Sequence, residues 1–402
     1  MEARAFAPLR NPDFFKLWVG QFVSVVGDKI NQIALAVLVY AATGSMLQMG
    51  IMLGVSALPA VLFGVFAGVF VDRWDRRRTM VAADLVRAGL VAAIPFVVRF
   101  GVGWAYAIAF GVATVSLLFE PAKRSLIVDL VPRGELMAAN SLDNASSAIA
   151  ELAGLAFGGV LIALLDTRLA FVIDAATYVI SALAILAIAF REPARDRAGE
   201  EPRSTGLMRE AAAGLRHAAG LPVLRSLALV YVTAAAAAGA AITIMNALAL
   251  RTFNAGAPGL AALDAAITVG ILIGSYLVAR GGSGAPGQKF LWGLTAFAVL
   301  LAILAAAPGI VVAAGVLVLT GIANMYFFIP MQSIVQTAPD EAMRGRVISV
   351  MTSANRVLMV LGLVGAGALL ERTGTGTMLV ATALLVLVAA LAGWTMRPLR
   401  EA

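Results

Sequence analysis

The chain alternates long apolar runs with short, strongly polar turns. Runs of apolar residues lie at 14–41, 46–71, 79–99, 102–122, 136–165, 168–190, 221–250, 258–279, 289–307, 310–336, 343–370 and 374–396. Each can cross a bilayer as a helix, which takes about 20 residues. Polar residues inside the runs are few, and their spacing is informative. Gln21, Ser24, Asp28 and Asn31 follow one another at three, four and three residues, so they share one helical face. A polar stripe within a membrane helix has to face protein or water, because hydrocarbon cannot solvate it. The longest polar stretch, Arg191 to Gly220, divides the runs into two sets of six. The pattern predicts an all-α integral membrane protein of twelve transmembrane helices in two six-helix bundles. The expected divisions are 1–192, a linker at 193–220 and 221–402.

Composition agrees with a lipid-embedded chain: 402 residues are 61% hydrophobic and 13% charged, with a mean hydropathy of +0.92. The net charge of +7 would fit a nucleic-acid partner if it were clustered on one domain. Instead it alternates with the runs. Arg73 to Arg78, Lys123 to Arg133, Arg191 to Arg225, Arg280 to Lys289, Arg344 to Arg346 and Arg397 to Arg400 fall on one side, against Arg99, Arg168, Arg251 and Arg372 on the other. Positive charge stays on the cytoplasmic side, so both termini are expected there and the partner is the bilayer, not nucleic acid. The first ten residues lack the apolar core of a secretory signal. Without cysteine there is no disulfide framework or thiol chemistry. There is no paired His/Glu metal motif and no Gly-x-x-x-x-Gly-Lys-Ser/Thr phosphate loop. An enzyme, a metal site, a cofactor and ATP drive are therefore not expected.

The charges within the spans mark candidate sites. Asp28 and Lys29 fall near the bilayer midplane, and Glu151 lies deep in the fifth span. Asp84 and Arg87, at i and i+3, either neutralise each other or join a network around Asp72. Glu120 ends the fourth span, Asp174 reads as a satisfied packing group in the sixth, and Arg356 sits beside Asn355 near the middle of the eleventh. Gly154 and Gly158, followed by Gly159, form a small-xxx-small helix contact. Leu207 to Ala219 is expected to form an amphipathic helix on the inner membrane surface. It carries the only histidine, His217, which has no neighbouring ligand for a metal role. The two halves also repeat: Pro132-Arg133-Gly134-Glu135-Leu136 has a counterpart in Pro339-Asp340-Glu341-Ala342-Met343, and Gly154, Gly158 and Gly159 have loose equivalents in Gly362, Gly365 and Gly367.

The turn Gly68-Val69-Phe70-Val71-Asp72-Arg73-Trp74-Asp75-Arg76-Arg77-Arg78 resembles the loop between helices two and three of the major facilitator superfamily, with Asp75 where that pattern has Gly. Gly27-Asp28, Phe119-Glu120-Pro121-Ala122, Ala139-Asn140-Ser141-Leu142 and Arg344-Gly345-Arg346-Val347-Ile348-Ser349 are similar to its bacterial exporter branch, which includes macrolide-efflux and siderophore-export proteins. The segment around Gly154 resembles the fifth-helix signature of its antiporters, with Leu155 in place of the usual Pro. The lysophospholipid transporter of the same superfamily is similar around Gly27-Asp28 and Pro121-Ala122-Lys123. The resemblance implies the major facilitator fold, alternating access, and proton-driven export of a small amphipathic molecule. Lysophospholipid translocation without obligatory proton coupling is the alternative. It also implies a conformational gate at Gly68, Asp72, Arg73, Arg76, Asp84 and Arg87.

A proton-coupled exporter needs a carboxylate whose protonation competes with substrate. Burial favours the neutral acid and a neighbouring cation favours the ionised one. Asp28 and Glu151 are therefore the expected proton-responsive groups. Lys29 or Arg356 would hold them ionised in one state, with Asn31 and Glu120 nearby as polar lining. The other reading of Asp28 is a permanent ion pair that pins helices together. A monomer in a bacterial cytoplasmic membrane completes the expectation.

Overall fold

The computed structural model describes residues 6–64, 74–190, 207–280 and 285–402, with side chains of the third segment from 212 onward. The regular elements among these residues are all helices, with no strand. The membrane helices of the first half are α1 (Pro12–Thr43), α2 (Met46–Leu62), α3 (Arg76–Val97), α4 (Gly103–Leu130), α5 (Leu136–Leu164) and α6 (Thr167–Leu186). After α7 (Leu207–Gly220) come α8 (Pro222–Ala247), α9 (Gly256–Arg280), α10 (Pro286–Ala305), α11 (Ile310–Thr337), α12 (Glu341–Leu370) and α13 (Thr375–Thr395). Among the described residues eleven helices are long and apolar enough to cross a membrane, and α2 is a shorter apolar helix beside them. The expected twelve-helix membrane architecture is the one observed.

Contacts group the chain into two compact units. The first comprises Met1–Gly44, Val55–Arg195 and Gly256–Ala262, and the second Ser45–Gly54, Asp196–Ala255 and Leu263–Ala402. In the first, α1 packs on α5 and α6, while α3 packs on α4 and α6. The second repeats this neighbour pattern: α8 packs on α12 and α13, and α10 on α11 and α13. The weak glycine repeat has a matching physical basis. A Cβ on Gly154 would meet the Val26 carbonyl of α1 at 2.6 Å, and one on Gly362 would meet the Ala236 and Ala240 backbone of α8. In both units the fifth helix of the six lies against the first at a distance only glycine permits. Gly158 approaches Ile30 in the same way, Gly159 approaches Ala261, and Gly367 approaches Met46, whereas Gly365 faces open space.

The ends of α1 show how local chemistry fixes this arrangement. The Asn11 side chain accepts from the Asp13 and Phe14 amides at 2.9 and 3.3 Å, and Pro12 occupies the first helical position. Both features satisfy or remove amides that the helix leaves unpaired. The helix stops at Gly44, whose φ of 63° is left-handed. Asn11 also donates to the Leu130 carbonyl at 2.7 Å, and Asp13 accepts from the Ala189 and Phe190 amides beyond α6. Asp75, the departure from the family turn, has a structural use: it caps α3 by accepting from the Arg78 amide at 2.7 Å. The linker helix α7 packs on α12, where Gly214 lies against the Arg346 backbone. His217 Nε2 is 3.7 Å from Asp340 Oδ2.

A second cap belongs to Glu371, which follows α12. Its Oε1 accepts from the Ser45 hydroxyl at 2.6 Å and from the Leu47 amide at 3.1 Å, at the start of α2. The Ser45 hydroxyl, then the Leu47 amide, holds the Glu371 carboxyl below its usual value. A lowered native pKa means that the stabilisation is complete above the ordinary glutamate pKa and lost as pH falls through the lowered one. Glu371→Gln is expected to remove this acid dependence and to lower stability by about 1 kcal/mol or less, because the site is exposed. Unfolding midpoints measured across acidic pH check it.

Candidate functional site

The polar stripe of α1 faces α6. Gln21 donates to the Ser181 hydroxyl at 3.0 Å, and both residues are buried. Seven residues on, the Tyr178 hydroxyl donates to Asp28 Oδ1. Between them the Gly27 backbone leaves room for Asp174 and Thr177: a Cβ there would lie 2.5 Å from Asp174 Oδ1 and 3.0 Å from Thr177 Cβ. Asn31 lies beside Asp174 and is buried. Gly27 and Tyr178 thus give Asp28 and Asp174 places in one helix interface, although 146 residues separate them.

The α3 helix supplies the cation. Arg87 is 4% exposed and pairs with Asp84, one turn earlier and fully buried. Its guanidinium lies over the Tyr178 ring at 4.4 Å and the Phe119 ring at 4.5 Å. Desolvated, this cation gains from the two ring faces as well as from its carboxylate. Of the two sequence readings of Asp84 and Arg87, the described residues show mutual pairing. Whether Asp72 joins them lies outside the described residues, as do Gly68 and Arg73.

Other expected site residues fall into separate clusters. Lys29 Nζ is 3.1 Å from Glu151 Oε1, so Lys29 serves the α5 acid while its neighbour Asp28 turns to Tyr178. The Glu151 side chain keeps 39% of its exposure, against none for Asp84. Glu120 pairs with Lys123 at 3.1 Å and Arg124 at 3.7 Å. Lys123 is itself buried and also reaches Asp143 at 3.2 Å. Arg76 pairs with Asp129 at the end of α4, and Arg77 donates to the Ile185 and Leu186 carbonyls at the end of α6. Arg356 lies on α12 in the second unit, where its neighbour Asn355 accepts from Tyr231 at 2.9 Å.

Sequence reasoning missed Tyr178 and misread Asp174. Asp174 is not a fully satisfied packing group. Thr177 reaches its Oδ1 at 3.3 Å, but Oδ2 has no hydrogen-bond partner among the described residues. The signal for both was present as Asp174 and Tyr178 at i and i+4 on one apolar helix, a spacing that points them to one neighbour.

The long apolar helices, with a charged network buried among them, define an integral membrane protein. The model of the Major Facilitator Superfamily matches residues 17–363. The chain belongs to this superfamily, and it is a membrane transporter rather than an enzyme. It is 27% identical to the multidrug efflux pump Tap of Mycobacterium tuberculosis, over 98% of this chain and 95% of that protein. It is 24% identical to macrolide efflux protein A of Streptococcus pyogenes, over 90% of each chain. The crystal structure of the nucleoside transporter NupG matches with a TM-score of 0.74 at 14% identity, covering 96% of this chain and 98% of that one, which establishes the fold alone.

Proposed function

We propose that the protein exports a lipophilic or amphipathic small molecule by proton antiport, through alternating access of its two six-helix halves. The observation that carries this reading is the placement of Asp28. It is partly exposed, bonded to a neutral phenol, and in one cluster with the buried cation Arg87. Protonating Asp28 changes the charge of a cluster that hydrocarbon cannot screen, so gain or loss of that proton can be tied to a change of state. The Lys29–Glu151 pair, at 3.1 Å and more exposed, is a second group able to respond to protons or to a cationic substrate. The names of the relatives, a multidrug and a macrolide efflux protein, support export and a drug-like cargo.

The same reading places both termini in the cytoplasm of a bacterial cell, by the side on which arginine and lysine collect. It treats the chain as a monomer. The resemblance to the family turn assigns the conformational gate to Gly68, Asp72, Arg73, Arg76, Asp84 and Arg87. Of these, Arg76 pairs with Asp129, and Arg87 pairs with Asp84 beside Tyr178. The test is uptake of tetraphenylphosphonium and of erythromycin into everted vesicles under an imposed pH gradient. Asp28→Asn is expected to reduce gradient-driven uptake by about tenfold or more, the range over which a positioned proton-transfer group acts. Uptake with unchanged rate and pH dependence in this variant would overturn the role of Asp28.

A further inference from the structure

We propose that Asp174 of α6 is a second proton-binding site of the carrier, occupied by a proton in the state described here. The inference rests on the proton-antiport reading for its place in the cycle, and on local geometry for the proton itself. Three carboxylates, Asp28, Asp84 and Asp174, lie in the α1–α3–α6 cluster with one buried guanidinium, Arg87. Arg87 is engaged by Asp84, and Asp28 receives the Tyr178 hydroxyl. Asp174 is fully buried, and its carboxylate has no cation within ion-pair distance among the described residues. The groups bearing on it are Asp28 and Asn31 on α1, Arg87 on α3 and, on its own helix, Thr177 and Tyr178, while on α5 Glu151 is taken up by Lys29. A buried carboxylate with no paired cation is poorly placed to carry a charge.

Asp84 Oδ2 and Arg87 Nε lack a hydrogen-bond partner among the described residues, but they belong to an ion pair that balances their charge. The two other such atoms in the cluster belong to Asp174 and Asn31. Asp174 Oδ2 and Asn31 Oδ1 are both buried acceptors with no donor among the described residues. One proton on Asp174 Oδ2 turns an unpartnered buried acceptor into a donor, next to the Asn31 side chain. Thr177 already directs its hydroxyl to the Asp174 carbonyl at 2.7 Å, so it does not supply that donor. The closeness of Asp174 to Asp28 gives the proton a use. Two neighbouring acids titrate as a pair, so deprotonation of one favours retention of the proton by the other.

Infrared spectra of the purified full-length protein at neutral pH test the inference without any substrate. A protonated-carboxyl C=O band is expected in the wild type, reduced in Asp174→Asn and retained in Asp28→Asn. Because Asp174→Asn mimics the neutral acid, its unfolding midpoint is expected to stay near that of the wild type. An unchanged band in Asp174→Asn, or a large drop in its midpoint rescued only by Asp174→Glu, would overturn the proposal. Proton release on adding tetraphenylphosphonium then tests the place in the cycle. Asp174→Asn is expected to release about one proton fewer per bound cation, and equal release would remove Asp174 from the cycle. Absence of release from the wild type would instead contradict antiport, while the infrared result would still decide whether Asp174 holds a proton.

Discussion

Arg87→Leu is expected to destabilise the first unit by about 3–5 kcal/mol, the range for removing one partner of a buried ion pair. The loss is this large because Arg87 meets Asp84 and the rings of Phe119 and Tyr178 at once. Leucine keeps some apolar volume but leaves Asp84 without its cation in a site that has no exposure. The measurement is thermal unfolding in detergent at neutral pH and again at acidic pH. Protonation of Asp84 removes the unpaired charge, so the defect should shrink as pH falls. Arg87→Lys is expected to rescue only in part, because an ammonium lacks the planar fork and stacks poorly on two rings. A variant as stable as the wild type at neutral pH would show that the guanidinium does not balance this cluster.

Gly27→Ala is the second large effect. Its new methyl group would fall 2.5 Å from Asp174 Oδ1 and 3.0 Å from Thr177 Cβ, too close for either to remain in place. Backbone separation of α1 and α6, or a forced rotamer at Asp174, should cost about 1–3 kcal/mol. Transport is expected to suffer more than stability, because the same displacement separates Asp28 from the Tyr178 hydroxyl. Comparing the unfolding midpoint with tetraphenylphosphonium uptake in the same preparation checks this. Full uptake in a folded variant would show that the α1–α6 spacing is not part of the mechanism.

The helices were legible because bilayer thickness sets their length and leaves few polar residues inside them. The one-face spacing of Gln21, Ser24, Asp28 and Asn31 also held a correct instruction, since Gln21, Asp28 and Asn31 each find their neighbour on α6. What could not be read was the identity of those neighbours. Asp28 and Lys29 are adjacent in sequence, yet one turns to Tyr178 and the other to Glu151, because successive helical residues point about 100° apart. The unpaired oxygen of Asp174 was equally hidden: whether a polar side chain is satisfied depends on helices that meet only after folding. Glycine patterns were legible where they repeat. Gly154 and Gly362 both seat a helix against the first helix of their unit, while Gly365, in a similar sequence context, touches nothing within 4 Å.

The most direct test of the account is the count of protons released when purified protein binds tetraphenylphosphonium or erythromycin in weakly buffered solution, with lysophosphatidylethanolamine as a third probe. Wild-type protein is expected to release protons on binding at least one of the first two, and Asp28→Asn to bind with release reduced or abolished. Tight binding without proton release would contradict antiport. Movement of labelled lysophospholipid between leaflets without a pH gradient would then make the carrier a lipid translocator and leave Asp28 as part of its architecture.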